Sequence, residues 1–170
     1  MSNLCCEITL PTTPLKDIHD EDGEIRLCTL AAINWGKIRK PSDFEKPCTI
    51  AVRALDALLD YQSYPIRAAE IGTRNRRPLG VGIINFAYWL ARNDSTYTSP
   101  NLDLVHEYAE AWSYYLIKAS IDLAEENKPC PKFLETKYGN GIMPIDTYKP
   151  EVDELVKPVY KMDWNNLRSE

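Results

Sequence analysis

Hydrophobic and polar positions follow two rhythms along this chain. Leu4, Cys6 and Ile8 fall on alternate positions, the rhythm of a strand over residues 4 to 10 that stops at Pro11. Thr12 to Glu24, with Pro11 and Pro14 and the acidic run His19-Asp20-Glu21-Asp22-Gly23, has the composition of a loop. A second strand is predicted over Arg26 to Ile33. Ser42-Asp43-Phe44-Glu45 has capping-box form, and Ala51, Leu55, Leu58 and Leu59 recur at helical spacing from Ile50 to about Tyr61. Pro65 and Gly72 interrupt the pattern beyond Tyr61. Pro78 to Phe86 runs from a short strand or turn into a helix expected to carry Ile83, Ile84, Ala87, Leu90 and Ala91.

The clearest pattern lies over Asn101 to Glu126. There Val105, Tyr108, Ala109, Trp112, Leu116, Ala119 and Leu123 form one apolar stripe against a mostly acidic face. Pro129-Cys130-Pro131 ends that helix, Lys137 to Met143 is a glycine-bearing loop, and Pro150 to Val156 is expected to form another short helix. Strands and helices alternate, which predicts an α/β fold, yet the strands are too few to close a sheet by themselves.

Composition narrows the classes. The 170 residues are 44% hydrophobic, enough for one ordinary core or part of a larger domain. A formal net charge of -5 gives no electrostatic case for nucleic acid or an anionic membrane. No apolar run approaches the roughly 20 residues that span a bilayer, and no signal-peptide core is seen, so the expected location is cytoplasmic. The five cysteines, Cys5, Cys6, Cys28, Cys48 and Cys130, are an odd set without CxxC or zinc-finger spacing. This argues against a secreted disulfide framework and against structural zinc.

Three motifs point more strongly to structure than to chemistry. Gly80-Val81-Gly82 lacks the third glycine and the acidic residue of a dinucleotide site and fits a tight turn. Arg74, Arg76 and Arg77 are arranged for carboxylate pairing or solvent rather than phosphate. Asp103, His106, Glu107 and Glu110 echo helical metal ligands, but one histidine with no second motif of the same type argues against a metal.

The N-terminus is different. In an extended Met1-Ser2-Asn3-Leu4-Cys5-Cys6-Glu7, the side chains of Asn3, Cys5 and Glu7 share one face. Spacing leaves two readings open: a reactive face combining amide, thiol and carboxylate, or a strand with small buried thiols.

Taken with Leu27-Cys28-Thr29-Leu30, Ala51-Val-Arg-Ala-Leu-Asp56, Leu59-Asp-Tyr-Gln62, Arg76-Arg77-Pro-Leu-Gly-Val-Gly82, Ile84-Asn-Phe-Ala-Tyr88 and Gly141-Ile-Met-Pro-Ile-Asp-Thr-Tyr148, this start resembles the large (α) subunit of class I ribonucleoside-diphosphate reductase. The likeness extends over essentially the whole chain. It implies part of a ten-stranded α/β barrel with residues 3 to 7 at the tip of a finger loop, so the extended picture of that stretch need not hold in detail.

It also implies roles. Cys5 is the thiyl-radical position, Glu7 the acceptor of the 3′-hydroxyl proton and Asn3 the amide that aligns the substrate hydroxyls. Asn3, Leu4, Cys5 and Glu7 together form the substrate contact. Cys28 is one half of a redox-active dithiol re-reduced by thioredoxin or glutaredoxin. Cys6, Cys48 and Cys130 receive no role and are expected to be small buried thiols.

The implied partners are a ribonucleoside diphosphate, the remaining parts of the large subunit, and a metal-containing small subunit that supplies the radical. No metal or other cofactor is expected in this chain. Residues 1-170 are expected to be a partial barrel without an ATP-cone, the second dithiol cysteine, the phosphate-binding loop, the radical-transfer tyrosines or the C-terminal shuttle tail. A split gene or an incomplete record accounts for such boundaries. Under either, the isolated chain is expected to lack turnover and to be poorly soluble or obligately associated. A noncatalytic remnant that only binds reductase subunits is the alternative.

Overall fold

Two short apolar runs of β-branched and small residues make the sheet. The computed structural model describes residues 10–27, 29–147, 149, 151, 154 and 159–170, and among these the strands are β1, Thr29–Asn34, and β2, Leu79–Ile84. They pair in parallel with constant register, Thr29 opposite Leu79 through Asn34 opposite Ile84. Side chains alternate across the ladder. Ile33 is buried and Val81 packs against the core, whereas Leu30, Ala32, Gly82 and Ile84 lie on an uncovered side. The result is a mixed α/β unit with an unclosed two-stranded sheet.

Parallel strands need a long crossover, and helices α1, Glu45–Tyr61, and α2, Arg67–Arg76, supply it. Helix α1 starts earlier than its apolar spacing predicts, because Pro47 stands in the first turn, where a missing N–H costs nothing. It buries Cys48, Val52, Leu55 and Leu59 on one face. The expected Ser42 capping box is replaced by Asp43. Its carboxylate reaches back to accept from the backbone N–H of Arg39 at 3.1 Å and of Lys40 at 3.2 Å, because a 3₁₀ turn begins at Pro41 with Lys40, two residues before Ser42, as its N-cap.

Helix α2 corrects the expectation that Gly72 breaks the chain. Gly72 lies inside the helix, where any Cβ would collide with the carbonyl of Ile25 crossing above it. The Ile25 N–H donates to the Ala68 carbonyl at 3.1 Å. The glycine therefore permits close packing rather than ending a helix. Arg77, at φ 45°, closes α2 in the left-handed region.

Ile83 and Ile84 belong to β2 and not to the following helix. Asn85, at φ 62°, turns the chain within one residue from β2 into α3, Phe86–Arg92. The long amphipathic helix α4, Leu102–Asn127, matches its predicted span, with Asn101 accepting from the Leu104 N–H at 3.1 Å as the N-cap. It packs on α1. Between the sheet and these helices sits an aromatic core built on Trp35, which is 1% exposed. Its ring contacts Phe44, Phe86, Trp89, Tyr108 and Trp112 at centroid separations from 5.2 to 6.4 Å, most of them edge-on.

A short C-terminal helix, α5, spans Trp164–Ser169 and is capped by Asp163. Trp164 and Leu167 close a second apolar cluster with Ile117 and Met143. The predicted loop over 137–143 contains a 3₁₀ turn at Tyr138–Asn140 that ends on Gly141. The strand predicted over residues 4 to 10 lies outside the described residues apart from Leu10, and most of the helix predicted over Pro150 to Val156 lies outside them too. Among the described residues the second strand covers Thr29–Asn34, and Arg26, predicted to open it, instead lies with residues 24 and 25 against α2.

Candidate functional site

Asn3, Leu4, Cys5, Cys6, Glu7 and Cys28 all lie outside the described residues. What the structure describes is the framework on either side of Cys28. Downstream, β1 carries Leu30, Ala32 and Asn34, the residues of Cys28's parity, along the uncovered side of the sheet, opposite Gly80, Gly82 and Ile84. Gly82 leaves its part of this side open, whereas the Leu30 side chain lies over Gly80. At the carboxyl ends of both strands, the Asn85 amide donates to the Asn34 side-chain oxygen at 3.1 Å. Ligands of α/β sheets bind outside this end of the strands.

Upstream, Glu24 gathers cations from three parts of the chain. Its carboxylate binds the guanidinium of Arg26, accepts from the Asn75 amide at 3.0 Å and faces Lys132 Nζ at 3.4 Å and Arg76 Nε at 3.9 Å. Burial works to raise its carboxyl, but the hydrogen bonds from Arg26 and Asn75 and the charges of Arg26 and Lys132 overcome this and hold it at about 2. Arg26 is also buried, and its Nε and Nη1 have no hydrogen-bond partner. Nothing in the local sequence marked this cluster, since Glu24 meets Asn75 from 51 positions away.

The motifs set aside in the sequence have structural employment. Arg74 pairs with Glu70 and Asp60, each at 3.0 Å, Arg76 with Glu135, and Arg77 with Asp56 and Asp60. The Arg77 hydrogen bond is the main cause holding the Asp60 carboxyl below its usual range. Glu110 is buried and accepts from the N–H groups of Lys161 and Met162 and from the Trp164 indole at 2.9 Å, tying the segment before α5 to α4. Glu107 pairs with Lys161 at 2.8 Å, and His106 lies against the Tyr160 ring. Among the described residues no group of three His, Cys, Asp or Glu side chains is arranged to hold a metal. No helix among them is long and apolar enough to cross a membrane.

Cys48 is a core thiol with no exposed surface, and burial pushes its pKa up to about 12, which leaves no thiolate for chemistry. Cys130 is half-buried and also raised, chiefly by burial.

The model of a family described as ribonucleotide reductase, barrel domain, matches residues 1–170. Ribonucleoside-diphosphate reductase subunit alpha of Haemophilus influenzae is 52% identical over 170 residues, covering 99% of this chain. Ribonucleoside-diphosphate reductase 1 subunit alpha of Salmonella typhimurium is 55% identical over 168 residues, or 98% of the chain. The corresponding subunit of Enterobacteria phage T4 is 44% identical over 174 residues, again 99% of the chain. In each case the match takes in 22% of the relative's own length. With a parallel α/β unit, an uncovered sheet face and a family match over its full span, the chain belongs to the ribonucleotide reductase barrel-domain family.

Proposed function

We propose that residues 1-170 are the part of a ribonucleoside-diphosphate reductase large subunit that bears the radical cysteine, and that they act once the rest of the subunit completes a ten-stranded barrel around them. The observation that carries this reading is the coincidence of Asn3, Cys5, Glu7 and Cys28 in one chain that the barrel-domain family matches from end to end. The uncovered face of Leu30, Ala32, Gly80, Gly82 and Ile84 is consistent with a larger sheet and an enclosed interior.

In this scheme a metal-containing small subunit supplies the oxidising equivalent. The Cys5 thiyl takes the 3′ hydrogen atom of the ribose, forming S–H as the C–H bond breaks. Glu7 accepts the 3′-hydroxyl proton as general base, while the Asn3 amide holds the substrate hydroxyls in line. The 2′-hydroxyl leaves as water. Cys28 and a second thiol from the remainder of the subunit deliver two electrons and two protons and become a disulfide, and Cys5 then returns the 3′ hydrogen. The balance is ribonucleoside diphosphate plus dithiol giving deoxyribonucleoside diphosphate, disulfide and water. A thioredoxin or glutaredoxin restores the dithiol by exchange. These reductants fit a cytoplasmic setting.

The test is to co-express the chain with the remaining large-subunit regions and a radical-generating small subunit, then to assay cytidine diphosphate reduction. Turnover that disappears with Cys5→Ala supports the reading. A stable assembly whose rate is indifferent to Cys5→Ala refutes it and leaves a binding module.

A further inference from the structure

Helix α1 is apolar over more of its circumference than one core requires. Its buried side chains are Cys48, Val52, Leu55 and Leu59, and α4 and both strands pack on the helix. At 3.6 residues per turn, the arc from Val52 round to Ala57, roughly 220°, holds no charged residue. A helix that covers a single core needs a stripe of only about 100°. The surplus forms a second stripe. Ile50, Ala54, Ala57, Leu58 and Tyr61 are all exposed, Tyr61 by 88%. The charged residues Glu45, Lys46, Arg53, Asp56 and Asp60 are confined to the remaining arc.

This second stripe has the form of a helix-pairing seam. Positions 50, 54, 57 and 61 alternate steps of four and three, the spacing by which one helix meets another along its length. Ala54 and Ala57 lie midway, between the larger Ile50 and Tyr61, and small side chains there let a second backbone come close. The seam runs for eleven residue rises, about 16 Å. Among the described residues nothing covers it.

A stable free dimer uses roughly 20–30 residues a side, against the five offered here, so a second copy docked through this stripe alone would be held weakly. The relatives point to another source. The match takes in 22% of their length, which leaves most of such a subunit outside this chain. A helix from that remainder, kept close by its other contacts, needs far less area to stay seated. We propose that the stripe of residues 50–61 on α1 is a docking site for an apolar helix from the remainder of the large subunit, which makes α1 an internal helix of the assembled protein. This rests on the reading of the chain as part of that subunit.

The test uses the chain assembled with the remaining large-subunit regions and the small subunit. A photoreactive benzoylphenylalanine in place of Tyr61 is irradiated in the complex, and its adducts are mapped by mass spectrometry. Adducts to a segment of the remaining large subunit are expected. Adducts to a second copy of this chain or to the small subunit overturn the proposal, as does reaction with solvent alone.

Ala57→Glu gives an independent reading. Glutamate is a good helix former and is tolerated on an exposed helix face, but on a docked face it buries an unpaired charge. Affinity for the remaining regions should then fall about tenfold or more, and Ala57→Ser, which keeps the size, should recover most of the loss. These two variants decide the matter if the photoreactive chain fails to assemble, and an affinity indifferent to Ala57→Glu overturns the docking. If the unsubstituted chain forms no complex with those regions, the subunit reading falls and the docking falls with it. A complex that forms and turns over with position 61 facing solvent removes only the docking.

Discussion

Replacing Arg77 tests whether the end of α2 is held by its charges against the preference of its own backbone. The guanidinium donates to Asp56 at 2.5 Å, to both carboxylate oxygens of Asp60 at 3.0 and 2.8 Å, and to the Asp56 carbonyl at 2.8 Å. Asp60 is half-exposed, which weakens its share. The whole network is therefore worth about 2 kcal/mol, and Arg77→Ala should cost about that much. Arg77 also sits at φ 45°, where a residue with a Cβ pays about 1–2 kcal/mol. Glycine escapes that penalty but loses about 0.4–1 kcal/mol through its freer unfolded chain. Arg77→Gly should then be about 0.5–1 kcal/mol milder than Arg77→Ala. For a domain of this size, ~1 kcal/mol moves Tm by about 2–4 °C, so the alanine variant should melt about 4–8 °C lower, with the glycine variant above it. Thermal unfolding by circular dichroism, on the smallest assembly that keeps the chain soluble, reads both. An alanine variant as stable as the glycine variant would refute the backbone argument. Two neutral variants would refute the ion-pair argument.

Glu110→Gln puts an amide where two backbone N–H groups and an indole need acceptors; about 2 kcal/mol should be lost, with a red shift of Trp164 fluorescence as the segment before α5 lifts off. If the emission is unchanged, Glu110 is not the anchor. Gly72→Ala should destabilise despite alanine's higher helix propensity, because the Ile25 carbonyl fills the space, whereas Gly82→Ala, which is open on the uncovered face, should be tolerated in the isolated chain; chemical denaturation ranks the two. The Glu24 carboxyl is lowered on folding, so its contribution is fully present above about pH 4.5 and is lost as pH falls toward 2. Glu24→Gln should accordingly flatten the fall in stability across that acid window, and an unaltered slope would count against a stabilising role for the Glu24 cluster.

Helix α4 was legible because one apolar stripe persists over 26 residues, far longer than chance spacing sustains. Helix α2 was not, since Gly72 has the look of a breaker until the crossing Ile25 backbone is known. Ile83 and Ile84 illustrate the ambiguity of short apolar runs, which fit a strand or a buried helix equally well until pairing with β1 decides. The chemistry of Asn3, Cys5, Glu7 and Cys28 was legible only through resemblance, because spacing alone does not separate a reactive thiol from a buried one. The roles of Glu24 and Glu110 were invisible for another reason: their partners stand some fifty positions away, and no local pattern records such a meeting.

The parallel ladder also sets an order of events during synthesis. Each residue of β1 pairs with one fifty positions further on, so no β1 hydrogen bond to β2 can form until α1, α2 and the second strand have been made. At about 5–20 residues per second, that delay lasts roughly 3–10 s. Throughout it the nascent β1 offers an unpaired edge a few residues from Cys28, and its correct capture depends on the crossover helices folding first. Slowing translation across α1 and α2 should lengthen that exposure, and a chaperone that shields the edge would have its greatest effect in this interval.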